Sequence, residues 1–89
     1  MRTVQQHKDA TKALKKAPRH IQEKAIEWLK YFMEYDSFDG CRFEIVPLKG
    51  KLKIYQEVKI DKDYRIIFRL DEEALHIRTA GTHNSLGTG

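Results

Sequence analysis

Three apolar runs near the C-terminal end constrain this chain most. They are KLKIYQEVKI at 51–60, YRIIFRL at 64–70 and ALHIRTAG at 74–81, separated only by DKD and DEE. Connections this short allow only antiparallel neighbours, so a three-stranded β-meander is predicted. In the first run Leu52, Ile54, Val58 and Ile60 point one way, while Lys51, Lys53, Tyr55, Glu57 and Lys59 point the other. Such a sheet has one face that must be covered and one that can meet solvent or a ligand.

The cover comes from the first half. MRTVQQ reads as a first strand, and KDATKALKKA as a short helix with Ala10, Ala13, Leu14 and Ala17 on one side. Pro18 suits the first turn of a second helix, where its missing N–H costs nothing. From there to about Tyr35, Ile21, Ala25, Trp28, Leu29 and Phe32 form one apolar stripe, with Trp28 as a core anchor. DSFDGC then breaks the helix. The expected fold class is α+β: an N-terminal strand and two helices packed on one face of an antiparallel β-meander. With no repeat or linker, residues 1–89 read as a single domain.

A chain of this length buries only ~60–65% of its unfolded surface, so the core is just sufficient. The single Cys41 forms no internal disulfide and reads as a half-buried filler, and no cysteine–histidine grouping has zinc spacing. No apolar run approaches the ~20 residues a membrane span needs, and the first residues lack the apolar centre of a signal peptide. A cytoplasmic protein without membrane attachment is expected. Charge is unevenly spread: residues 1–17 and 42–69 each carry net +4, while 18–41 and 70–89 each carry net −2. The basic blocks point to a polyanionic partner.

PLKG at 47–50, VKIDKDYRIIFRL at 58–70 and IRTAGTHNSL at 77–86 resemble the RelE/ParE toxin superfamily of type II toxin–antitoxin systems. KALKKAPRHIQEKAIEWL at 12–29 is similar to the paired helices that precede its sheet. The closing RTxGTHxxL pattern looks most like the YafQ-like branch, and PLK…YR…H also resembles YoeB-like members. The resemblance implies an endoribonuclease, an mRNA interferase that cuts mRNA on the ribosome without metal or other cofactor. In the family reaction the ribose 2′-oxygen attacks the adjacent phosphate and expels the 5′-oxygen. It implies as partners a cognate antitoxin, the ribosome and mRNA, with no small-molecule cofactor.

That chemistry needs a proton donor, a base and cations near the phosphorane. Imidazole gains and loses a proton near neutral pH, and His83 matches the family's histidine in GTH, which implies the general acid. Arg65 matches an arginine that holds the scissile phosphate, and its planar fork suits two phosphate oxygens. Asp63 is expected to orient His83 or act as base, and Tyr64 to stack on a base. Lys49, Lys51, Lys53, Tyr55, Lys59 and Arg69 complete the expected RNA-binding set. Each also has a plain structural use: Arg65 pairing with Asp63 or Glu57, Tyr64 capping the core edge, Asp63 shaping the turn.

The match has gaps. Val46 stands where YoeB-like toxins have a carboxylate and YafQ-like ones a histidine, and Lys59 where YafQ-like ones have a second histidine. Glu44 and Glu57 are the local substitutes, with Glu57 taken into the catalytic set. Gly87 replaces an aromatic, which implies a frayed end. His7, His20 and His76 are not needed, His20 facing solvent. Two other readings stay open: a ParE-like inhibitor of DNA gyrase, and a member that has lost catalysis and only binds its antitoxin.

Overall fold

The computed structural model describes residues 1–86; the expectation of a frayed end at 87–89 lies outside them. The order is β1 (Thr3–Gln6), α1 (Lys8–Lys16), α2 (Arg19–Tyr35), β2 (Glu44–Pro47), β3 (Gln56–Asp61), β4 (Tyr64–Leu70), β5 (Ala74–Thr82) and one helical turn, α3 (His83–Leu86). The five strands form one sheet in the order β1-β5-β4-β3-β2. The meander β3-β4-β5 is antiparallel, with turns at the expected DKD and DEE. β1 adds to its edge parallel to β5.

The helices cover one face as expected. Ala10 of α1 and Ile21, Ala25, Trp28 and Phe32 of α2 are buried, with Leu29 half-buried beside them. They meet Val58, Ile60, Ile66, Phe68, Leu75 and Ile77 from the sheet. Burying side chains of this size contributes about 1.5–3 kcal/mol each. Phe38, from the broken stretch after α2, slides over Trp28 with ring centroids 4.8 Å apart, and Phe68 meets its edge at 5.3 Å. Cys41 is half-buried.

α2 stops where Asp36 turns left-handed (φ 53°), and its N–H still reaches Phe32 O at 2.7 Å. Arg2 ties that stop to β1: its backbone N–H donates to Asp36 Oδ1 at 3.1 Å and its Nη2 to Asp36 O at 2.9 Å.

Two expectations are corrected. The run 51–60 is not one strand, because only its second half lies in β3. β2 pairs with β3 from Glu44↔Lys59 to Pro47↔Gln56, so 48–55 is the loop of a hairpin. Gly50 has φ +68°, which suits a residue without Cβ, and opens a 3₁₀ turn over Gly50–Leu52. Leu52 and Ile54 are consequently exposed, at 48% and 60%, rather than in the core. β2 itself is a full edge strand.

Candidate functional site

Register places the face opposite the helices in cross-strand rows. Glu44, Lys59, Arg65 and Gly81 lie side by side across β2, β3, β4 and β5, and Val46, Glu57, Ile67 and Thr79 form the next row. Residues directly opposite in an antiparallel pair project from the same face, so these groups are neighbours although distant in sequence. Lys59 Nζ lies 3.4 Å from Glu44 Oε2.

Arg65 and Glu57 form a buried pair, 8% and 6% exposed, with Arg65 Nε 2.9 Å from Glu57 Oε1 but without a well-aligned hydrogen bond. Arg65 Nη1 donates to Asp61 O at 2.8 Å, Lys62 O at 3.2 Å and Tyr64 O at 3.3 Å. In this conformation the guanidinium therefore braces the β3–β4 turn instead of presenting an open fork. The pairing with Glu57 is one of the plain uses the residues left open, but it is buried rather than on the surface.

His83 begins α3 immediately beyond β5. Its backbone N–H donates to Asp63 O at 3.0 Å, and its Nδ1 is buried with no protein partner. Asp63 thus holds His83 through the main chain; among the described residues no hydrogen bond joins its exposed carboxylate to the imidazole. Gly81 explains how α3 can fold here. A Cβ at that position would come within 2.6 Å of Ser85 Oγ and 3.4 Å of Leu86 Cδ2, so the absent side chain makes room for the turn above the sheet.

Tyr64 does not fit the stacking role. It is 8% exposed, on the helix side with Ile66 and Phe68, and desolvation raises its phenol pKa. Lys49, Lys51 and Lys53 are exposed on the hairpin loop and not aligned along a strand. Tyr55, at the end of that loop, borders two adjoining clefts. One, about 350 Å³, is walled by Leu48, Leu52, Ile67 and Leu86; the other, about 270 Å³, by Gln5, Arg69 and His76.

Arg69 Nη1 and His76 Nε2 both lie 2.9 Å from Asp71 Oδ2. Backbone N–H groups of Ala74 and Glu73 donate to Asp71 Oδ1 at 2.8 Å, and together with His76 they hold this carboxyl well below its ordinary range.

The residues alone did not single out Arg78, which lines both clefts. It is the extra residue of a β-bulge, because Ile67 pairs with Thr79 but Phe68 with Ile77. Its Nη1 donates to Asp9 Oδ2 at 3.1 Å and lies 3.2 Å from His7 Nδ1, which ties β5 to the start of α1. The signal was present: apolar alternation runs Leu75, Ile77, then skips to Ala80. His20 is exposed and 3.7 Å from Asp61. Among the described residues no group of three or more His, Cys, Asp or Glu is placed to hold a metal ion, and no helix is long and apolar enough to cross a membrane.

No protein-family model and no curated protein matches the chain. Solved structures do match in fold. A YafQ variant from E. coli superposes with a TM-score of 0.82 at 19% identity, over 97% of this chain and 98% of that one. RelE in a RelB–RelE antitoxin–toxin complex from Methanococcus jannaschii gives 0.81 at 19%, over 93% and 94%. YoeB from a Staphylococcus aureus dimer gives 0.75 at 19%, over 92% and 97%. Over more than nine-tenths of its length, the chain has the fold of the YafQ, RelE and YoeB toxins.

Proposed function

We propose that the protein is the toxin of a type II toxin–antitoxin pair and an endoribonuclease that cuts mRNA on the ribosome. The observation that carries this reading is His83: an imidazole at the end of the last strand, its Nδ1 unpartnered, on a turn joined to the loop that Arg65 braces. The fold likeness supports it, and the RelB–RelE and DinJ–YafQ complexes support an antitoxin as partner.

In the proposed reaction a ribose 2′-oxygen attacks the neighbouring phosphorus, the bond to the 5′-oxygen breaks, and a 2′,3′-cyclic phosphate remains. His83 gives the proton that the departing oxygen needs. Lys59, which lies beside Arg65 in the sheet, supplies positive charge against the phosphorane. Arg65 serves the phosphate directly only if it leaves the turn carbonyls; in place it serves through the geometry of the turn. Val46 cannot accept a proton, and Glu57 faces Arg65, which leaves Glu44, exposed beside Lys59, as the carboxylate open to a 2′-hydroxyl.

Addition of the protein to a translating extract is expected to yield mRNA fragments with cyclic-phosphate ends, and His83→Ala to abolish them. Intact mRNA under these conditions would sink the enzymatic reading. The engagement of Arg65 favours one competing reading, a fold that binds its antitoxin without cutting; wild-type expression that leaves growth and mRNA ends unchanged would support it. Toxicity without new ends, together with gyrase poisoning, would point instead to the ParE-like reading.

A further inference from the structure

The β3–β4 turn is gripped from both layers of the protein. On the helix side, Asp61 Oδ1 accepts from Lys24 Nζ of α2 at 2.6 Å. On the sheet side, the carbonyls of Asp61 and Lys62 accept from Arg65 Nη1. Two residues after Asp61, the Asp63 carbonyl takes the N–H of His83 at 3.0 Å.

We propose that Lys24 is a positioning residue for His83, acting through Asp61 and the Asp63 carbonyl from the opposite side of the sheet. This rests on the reading of His83 as the proton donor.

Three features make the turn dependent on such a grip. The β3–β4 ladder shifts register between Lys59 and Asp61, so the strand end is not held by a regular run of pairs. α3 is only four residues long, too short to sustain itself as a helix, so the place of His83 follows the backbone that feeds it. α2 is anchored by the buried Trp28 and Phe32, so Lys24 is carried by a rigid element. The Lys24 hydrogen bond also holds the Asp61 carboxyl below its ordinary value. Both side chains remain about one-third exposed, and such pairs add little to global stability, so the effect belongs to local geometry.

Backbone amide exchange of His83 reads the chain of contacts without reference to activity, and cleavage of mRNA on programmed ribosomes reads its consequence. In Lys24→Met, His83 exchange is expected to quicken about three- to tenfold, while the Phe68 and Leu75 amides keep their protection. kcat should fall at least about tenfold with KM unchanged, and Lys24→Arg should restore both. If Lys24→Met fails to fold, Asp61→Asn is read in the same way.

Wild-type exchange at His83 in a folded variant overturns the proposal, as does a loss of activity that Lys24→Arg does not restore. A wild-type protein that never cuts mRNA, with His83 exchange still tied to Lys24, would sink the nuclease reading and leave the positioning chain standing.

Discussion

Arg65 cannot hold a phosphate and the β3–β4 turn with the same nitrogen. Its Nη1 already serves three carbonyls, and Glu57 lies against its Nε. Arg65→Ala leaves the buried Glu57 carboxylate without its cation, a change that costs about 3–5 kcal/mol in comparable pairs. Denaturant unfolding should show that loss, and a variant as stable as the wild type would mean the buried pair does not stabilise the fold. An inactive Arg65→Ala therefore says little about phosphate binding until its stability is known. Asp71 behaves differently, because its depressed pKa makes it a source of acid sensitivity. Folded protein binds that proton less readily than unfolded chain, so the stabilisation is fully present above the ordinary value of 3.8 and is lost as pH falls below it. The thermal midpoint should drop as pH falls below about 4 in the wild type, and less steeply in Asp71→Asn. Equal slopes would remove Asp71 from the account.

Among the elements, α3 is the most delicate. Gly81→Ala brings a methyl group to 2.6 Å from Ser85 Oγ, so the Ser85 hydroxyl, which donates to Thr82 O at 3.0 Å, has to shift. Activity is expected to fall with little change in unfolding midpoint, since α3 contributes no buried residue to the core; unchanged cleavage would show that the turn tolerates displacement. The other elements differ in how plainly the residues announced them. Pro18, DKD and DEE are local signals, and the boundaries of α2, β4 and β5 follow them closely. KLKIY alternates as a strand does, yet its conformation is set by Gly50 and by the pairing of Leu48 N–H with Tyr55 O, a contact no periodicity carries. β2 is four residues long and becomes a strand only because β3 lies beside it. At the candidate site, GTH marks the end of β5 and so the place of His83, whereas the burial of Tyr64, the bracing by Arg65 and the placement of Arg78 depend on register and a bulge.

For the whole molecule, charge is the first consideration. Lys8, Lys12, Lys15 and Lys16 on α1 and Lys49, Lys51 and Lys53 on the hairpin loop are all exposed. Binding to ribosomes or RNA should therefore weaken steeply with salt, log K falling by ~0.7–0.9 per log unit of salt for each phosphate neutralised. A filter-binding titration across salt concentrations checks this, and a flat dependence would contradict it. Connectivity is the second. β1 is made at the very start of the chain, but its partner is β5, which also lies beside β4 at the centre of the meander. Thr3 waits for Ala74 and Gln6 for Ile77, partners some seventy residues away, so neither the sheet nor the grip on His83 can close before β5 is in place. A fragment that stops short of Ala74 lacks the partner of β1 and cannot adopt this structure, however well its helices form.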